Sequence, residues 1–528
     1  MSDAPARPRQ ARYDVVVVGG GHNGLVAAAY LARAGLEVLV LEQLDHVGGA
    51  AVSAAAFPGR PTRLSRYSYL VSLMPDRLMA ELDLDVRLAS RTTASYTPVV
   101  RGGRHLGLLA ERPEGPATRA SFEEVTGGPA DFEAWERFYA DVAGLAAAVA
   151  PTLMEPLPTE QAVQEQVSAE VWRELVLEPL GLAIERRFAD DVVRGVVATD
   201  ALIGTFASLT SESLVQNRCF LYHLIGNGTG EWRVPIGGMG AVTDALARVA
   251  AGAGAELLTS ARVARIHPGD DVSVVELDAA SGGASVEARH VLSNVAPWVL
   301  RGLLGEEADP ATKPEGSQLK INFLLDRLPR LRSGVDPEVA FAGTLHLNEG
   351  YQQLETAYAE AAAGRVPTEL PGEVYCHSLT DPSILGDVPP GTHTLTYFGL
   401  HTPASLFEAD PAGARSAAIG RAIAALDEHL LDPIGSVVAR DERGDPCIEA
   451  KIPQDVEADL GMPGGHIFHG DLDWPWAPPR SRLDTPAQAW GVQTDHPGVL
   501  LCGSGSRRGG AVSGLGGHSA AMAVLASR

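Results

Sequence analysis

Tyr13-Asp-Val-Val-Val-Val-Gly-Gly-Gly-His-Asn-Gly-Leu25 joins a β-branched run to a glycine cluster and then to an apolar series. Residues 13–18 read as a strand. Leu25, Ala28, Leu31 and Ala32 recur at helical spacing, Gly35 supplies a stop, and 37–41 returns to a strand pattern. A β-α-β unit is therefore predicted at the start of the chain. Inside it, Gly19-Gly-Gly21-His-Asn-Gly24 contains G-x-G-x-x-G. Gly19 permits the tight turn, Gly21 lets a pyrophosphate approach the backbone, and Gly24 lets helix and strand pack closely. The helix that follows offers free N–H groups to phosphate, and His22 and Asn23 lie inside the loop as cofactor contacts. Glu42 ends the second strand, 18 residues after Gly24, where a carboxylate accepts ribose hydroxyls. An acid there argues against a 2′-phosphate and hence against NADP. The plainer alternative is a glycine turn between packed elements.

Two further glycine clusters bear on which dinucleotide is bound. Gly48-Gly49 follows Glu42 too soon for a third strand and suits a loop that returns to the pyrophosphate. Gly503-Ser-Gly505-Ser-Arg-Arg-Gly509-Gly510 is one residue too long for a second fingerprint. It leaves room for one helix and no further strand, so it is expected to complete the first site from the far end of the chain.

Between these ends the pattern changes. Phe132, Trp135, Tyr139, Val142 and Leu145 recur every three or four residues, as do Val163, Val167, Val171 and Leu175, so helices are expected to dominate 120–225. Residues 233–236 read as a strand entering Gly237-Gly-Met-Gly240, with a helix after it and strands at 256–259 and 263–266. Segments 272–277 and 286–291 flank Ser281-Gly-Gly283 as a hairpin. Residues 499–502 form a last strand and 519–525 a last helix. The fold class expected is α/β: a discontinuous Rossmann-type domain plus a mixed α+β substrate domain with a helical cap. The predicted segments are 1–110, 233–300 and 481–528 for the nucleotide domain, 111–232 for the cap, and 301–480 for the substrate domain.

Composition narrows the function classes. Gly makes up 57 of 528 residues, about 11% against an average of roughly 7%, yet without a period, so a collagen-like chain is excluded. Acidic residues outnumber basic ones, 66 to 42, and the net charge of −24 disfavours nucleic acid and anionic membrane surfaces as partners. Cys219, Cys376, Cys447 and Cys502 form no Cys-x-x-Cys pair, so no disulfide framework, zinc site or redox dithiol is predicted. Residues 1–12 are polar and lack a signal-peptide core, and no apolar run reaches the ~18 residues that cross a bilayer. A cytoplasmic enzyme is expected, with peripheral membrane contact left open.

Together, Val17-Val-Gly-Gly-Gly-His-Asn-Gly-Leu25, Val47-Gly-Gly49, Pro235-Ile-Gly-Gly-Met-Gly-Ala241 and Leu501-Cys-Gly-Ser-Gly505 through Ser513 resemble the phytoene desaturase-like branch of FAD-dependent oxidoreductases. That branch is related to the flavin amine oxidases. With Gly465-His-Ile-Phe-His-Gly470, the likeness is nearest to the group called pyridine nucleotide-disulfide oxidoreductase domain-containing protein 2. The resemblance implies non-covalent FAD held by Gly19, Gly21, His22, Asn23, Gly24, Glu42, Gly48, Gly49, Gly237, Gly238, Val263, Gly503, Gly510, Val512 and Ser513, with the Val263 backbone against adenine. Two departures stand out. Ala50 and Ala51 follow the glycine pair where amine oxidases carry Arg, and residues 488–497 offer Trp490 but no aromatic pair.

The chemistry expected is hydride transfer from a C–H bond to flavin N5, with CH–CH bonds of an apolar small molecule among the candidates and oxygen or a quinone as electron acceptor. The N-terminus of a helix starting near 513–516 would stabilise charge that builds on the flavin. Lys320 shares a strand face with Asn322, opposite Leu319, Ile321 and Phe323. It has two readings: a solvated strand face, or, by resemblance of Gly316-Ser-Gln-Leu-Lys320 to the amine oxidases, a lysine beside flavin N5. His469 likewise reads as a catalytic or a structural histidine. His466 and His469 have no third ligand in sight, so no metal is predicted. Arg63, Arg66 and Tyr67 lie on a segment that would run towards the flavin. A flavin amine oxidase and a non-catalytic FAD-holding protein are the rival functions.

Overall fold

The computed structural model describes residues 7–528, so part of the polar leader lies outside the described residues. Two seven-stranded sheets organise the chain. In the first, Arg12–Val18 lies between Ser285–Ser293 and Val38–Leu41, all parallel, and Glu256–Leu258 extends the sheet beyond Val38–Leu41. The early part of Ser285–Ser293 pairs antiparallel with Ser273–Leu277, and its last three residues pair parallel with Val499–Leu501. One sheet is thus stitched from both ends and the middle of the chain. The second sheet runs Ile448–Lys451, Ser317–Leu325, His393–Pro403, Gly372–Tyr375, Thr344–Leu347, Thr93–Arg101, Arg104–Glu111. Thr93–Arg101 and Arg104–Glu111 fall inside the expected nucleotide segment 1–110. They belong instead to the second sheet, because Ser95 and Tyr96 pair in parallel with Thr344 and Leu345.

The helix His22–Arg33 explains the density of the first layer. Ten of its twelve residues are buried, and it packs on helices Met239–Gly252 and Leu515–Ala526 as well as on its sheet. Leu25, Val26 and Leu31 are fully buried, each contributing on the order of 1.5–3 kcal/mol of transfer free energy. Such close packing needs small residues. A Cβ on Gly24 would stand 2.3 Å from the Gly19 carbonyl oxygen, and one on Gly517 only 1.9 Å from the Asn23 carbonyl oxygen.

Helices do fill 116–224, but the series Val163, Val167, Val171, Leu175 is broken. Thr159 caps a first short helix, Glu160–Gln164, and Ser168 accepts from the Val171 amide at 3.2 Å to start a second, Ala169–Trp172. The last helix starts at Leu515, within the 513–516 start expected at the flavin end and ahead of the 519 suggested by apolar spacing, because Gly516 and Gly517 serve contact with neighbouring backbone and not a loop. Among the described residues no helix is long and apolar enough to cross a membrane.

Gly517→Ala should push the two helices apart and lower stability by roughly 1–3 kcal/mol, read as a drop in the denaturant midpoint. His401 is 1% exposed, neither ring nitrogen has a hydrogen bond, and burial pushes its pKa down to about 3. The unfolded chain therefore takes up a proton near pH 6.5 that the folded chain refuses, and stability falls with pH below that point. His401→Asn removes this loss, so its melting temperature relative to the native chain should rise steadily from pH 7 to pH 4.

Candidate functional site

The phosphate loop is built as the motif requires. Gly19 has φ +101° and its amide donates to Leu41 at 2.8 Å. Gly48 donates to the Gly20 carbonyl at 2.9 Å, and a Cβ on Gly49 would sit 3.2 Å from Gly21 Cα, so the second glycine pair folds back onto the first loop. Gly21 precedes helix His22–Arg33 with no capping side chain, which leaves the first-turn amides for phosphate. Asn23 Oδ1 is buried without a partner beside them. Glu42, 6% exposed, accepts from the Gly20 and Leu44 amides at 2.8 Å each. Burial raises its pKa, and those two bonds oppose the rise. The Ala261 amide donates to the Glu42 carbonyl, so the chain leading into Val263 runs alongside the acid.

The C-terminal loop reaches the same place. A Cβ on Gly503 would lie 2.7 Å from the Asn294 carbonyl oxygen, and one on Gly510 2.3 Å from Leu472. The Ala511 carbonyl oxygen lies 3.1 Å from His22 Nε2, and burial pushes the His22 pKa down to about 4, keeping the ring neutral. Ser513 Oγ accepts from the Leu515 amide at 3.2 Å, at the start of the last helix. These uncapped amides, the acid and the narrow glycine-lined loops fit a dinucleotide along the first sheet. Gly237 and Gly238 have other contacts: the Gly237 amide donates to Asp381 at 2.7 Å, and a Cβ on Gly238 would meet Ser53 Oγ at 2.5 Å.

A cavity of about 460 Å³ opens between this cradle, the second sheet and the helical cap. His22, Ala50, Ala511 and Val512 face it from the cradle. Lys320 faces it from the second sheet. Its strand, Ser317–Leu325, is buried along its whole length, which overturns the solvated-face reading. Lys320 Nζ donates to the carbonyls of Ser65 and Tyr67 at 2.6 and 2.7 Å and lies 4.7 Å from the Tyr69 ring centroid. Burial, with Lys451 and Arg66 nearby, lowers its pKa well below the usual lysine range, and Glu449 opposes this. Arg66 and Tyr67 also reach the cavity, tied to Glu449 and Asp459, whereas Arg63 donates to the Ser53 carbonyl.

His469 is not among the cavity-lining side chains. It adopts a left-handed conformation (φ +66°) beside Gly505, and burial, with His466 and His22 nearby, pushes its pKa down to about 3. Trp490 packs edge-on against His518 at 5.6 Å, away from the cavity. The aromatic wall comes from elsewhere: Tyr69 and Tyr375 have ring centroids 4.8 Å apart, with Phe398 beside them. Arg91, Asp200, Glu373 and Tyr375 line the cavity and were not singled out by sequence. Burial pushes Asp200 and Glu373 up to about 7. The available signal was Glu373 itself, an acid within the strand pattern Gly-Glu-Val-Tyr.

Comparison with known proteins agrees with this geometry. The family described as flavin containing amine oxidoreductase matches residues 24–427. An uncharacterized protein of Mycobacterium tuberculosis is 51% identical, with 97% of each chain covered. Pyridine nucleotide-disulfide oxidoreductase domain-containing protein 2 of Rattus norvegicus is 30% identical over 97% of this chain and 93% of its own. The solved structure of cyclohexylamine oxidase from Brevibacterium oxydans shares the fold with a TM-score of 0.56 at 17% identity, covering 98% of both chains. The chain belongs to the flavin containing amine oxidoreductase family, and it is an FAD-dependent oxidoreductase.

Proposed function

We propose that this enzyme is a dehydrogenase or oxidase that removes hydride from a C–H bond of a largely apolar small molecule, CH–CH bonds included. The observation that carries the reading is the cavity. It runs from the Ala50, Ala511 and Val512 side of the cradle to a wall of Tyr69, Tyr375 and Phe398, so an apolar substrate is held between cofactor and second sheet. FAD, when bound, supplies the hydride acceptor. The chain's own part is to hold, orient and shield. Gly19, Gly21 and the first amides of helix His22–Arg33 hold the pyrophosphate, and Glu42 and the Val263 backbone hold the adenosine end. Gly237 and Gly238, packed against Asp381 and Ser53, are proposed to complete the cofactor cradle beside the glycine-pair loop. Gly503, Gly510, Val512 and Ser513 bring the start of the last helix, with its positive end, to the flavin ring.

Lys320 is the side chain proposed to act at the reacting end. Its Nζ is fixed by two carbonyls and a ring face, so it presents one amine to the cavity in a set direction. When protonated it favours electron transfer to oxygen by stabilising the charge that forms. His469 is proposed as a group that positions the Gly503–Gly505 loop rather than one that meets substrate. The flavin is proposed to be non-covalent, since none of the four cysteines lines the cavity. A second reading, amine oxidation, draws on the Tyr69–Tyr375 pair, which would flank an amine nitrogen.

Anaerobic mixing of the holoenzyme with amines, alcohols, terpenoid hydrocarbons and acyl compounds decides between them. Bleaching of the 450 nm flavin band by non-amine donors supports the first reading, and bleaching by amines alone supports the second. Lys320→Met should slow reoxidation by oxygen at least about tenfold while changing flavin reduction less. The native rate should rise as pH falls and the amine is protonated, and the variant rate should stay flat; equal stopped-flow rates would remove this role. Glu42→Ala should weaken FAD retention about tenfold, read from the 280 to 450 nm absorbance ratio after gel filtration.

A further inference from the structure

On the far wall of the cavity from the cradle, three potential metal ligands meet. His346 and Glu373 face each other in register across neighbouring antiparallel strands, Thr344–Leu347 and Gly372–Tyr375, so their side chains share one face. Asn348 then takes a left-handed conformation, φ +54°, and returns Glu349 to that face. One donor atom from each of His346, Glu349 and Glu373 lies within 4.8 Å of the others, and all three residues are at most 4% exposed. A divalent ion that holds oxygen and nitrogen at about 2.0–2.4 Å spans donors up to about 4.8 Å apart.

Glu349 supplies an independent sign of a ligand. Both of its carboxylate oxygens are buried without a hydrogen bond among the described residues, in a side chain with no exposure, and His346 Nδ1 lies 4.0 Å from one of them. An isolated buried carboxylate is costly, and buried charges are ordinarily paired or bound to metal. Helix Asp191–Ala198 packs directly on the main chain here: a Cβ on Gly195 would stand 1.7 Å from the Glu349 backbone carbonyl oxygen, which fixes the position of the residue. The surroundings also fit a metal site. Thr199 Oγ1 and the Tyr375 hydroxyl donate to Glu373 and set its orientation. Asp200 adds a third carboxylate nearby. The Arg91 guanidinium borders the same cavity, and its charge acts on both Glu373 and His346.

We propose that His346, Glu349 and Glu373 bind one divalent first-row transition ion, whose two positive charges balance the two carboxylates. One imidazole and two carboxylates suit Zn²⁺, Mn²⁺ or Fe²⁺. His346 and Glu373 line the substrate cavity, and Glu349 grips the ion from behind. The ion's open position then faces substrate, and it would take a carbonyl or hydroxyl oxygen. This deepens the function proposed above, on which it rests: the substrate class becomes an oxygen-bearing molecule with an apolar body, anchored by oxygen at the wall opposite the flavin.

The test strips the holoenzyme with dipicolinate, reloads it with Zn²⁺ or Mn²⁺, and measures bound metal by elemental analysis. About one ion per chain is expected, with a rise in melting temperature. Glu349→Gln and His346→Gln should each weaken binding at least about tenfold while FAD content and fold, read by absorbance and circular dichroism, stay unchanged. Failure of the native holoenzyme to retain either ion at millimolar concentration, with no change in melting temperature, overturns the site. A protonated-carboxyl infrared band present in the native chain and lost in Glu349→Gln would then identify a proton as the neutralising partner. Metal-free holoenzyme bleached by a donor as fast as the reloaded enzyme would overturn the ion's role as substrate anchor and leave the proposed function standing.

Discussion

The architecture depends on backbone meeting backbone at the start of the first helix. Nothing larger than hydrogen fits between Gly517 and the Asn23 carbonyl, or between Gly24 and the Gly19 carbonyl. Those contacts bring the phosphate loop, the last helix and the first strand into one layer. The small side chains Ala27, Ala28 and Ala29 extend the same closeness along the helix, which is buried on almost every side. A helix in that position has little solvent face to spare, and at its N-terminus the open amides are left to meet a ligand. Phosphate is the natural complement of such an end.

The second sheet does different work. Its Ser317–Leu325 strand lies between His393–Pro403 and Ile448–Lys451 and carries Leu319, Ile321 and Phe323 into an apolar core on one side. On the other side it carries Gln318 and Lys320 to the cavity, while Asn322 is held by Glu449 and Thr396. Apolar burial on one face fixes the register, and a slip of one residue would exchange core for cavity. The sheet can therefore hold costly groups in place because its other face contributes the compensating burial. Glu373, Tyr375 and His346 occupy the same kind of position on neighbouring strands.

Much of the cradle was legible because its residues are local and their order is constrained. A strand, a glycine triplet, a helix and an acid fall within thirty positions, and the glycine pair at 48–49 could be placed by distance alone. The far-end loop was legible for a different reason: its glycine spacing is one residue too long for a second fingerprint. The cavity wall was not. Arg91, Asp200 and the strand that carries both Glu373 and Tyr375 come from three separate stretches, and their proximity is set by tertiary packing on a sheet whose pairings are not local. Lys320 was seen, but burial on both faces cannot be read from alternation, since a polar position facing solvent and one facing a cavity look the same. The broken helices near 160–177 were hidden because hydrophobic spacing continues across the caps that interrupt it. His469 was singled out for its neighbours in sequence, and its left-handed backbone aims it elsewhere.

The long strand Ser285–Ser293 has two neighbours along one edge, and the second of them, Val499–Leu501, comes more than two hundred residues later. That arrangement sets an order of assembly during synthesis. The early β-α-β unit can emerge and collapse with its middle strands, but the edge beside Val291, Leu292 and Ser293 stays bare until residue 499 leaves the ribosome. Pairings so distant in sequence form slowly, since the entropy of closing the intervening loop is lost before the contact stabilises anything. A nascent chain would thus expose an unpaired sheet edge late in translation.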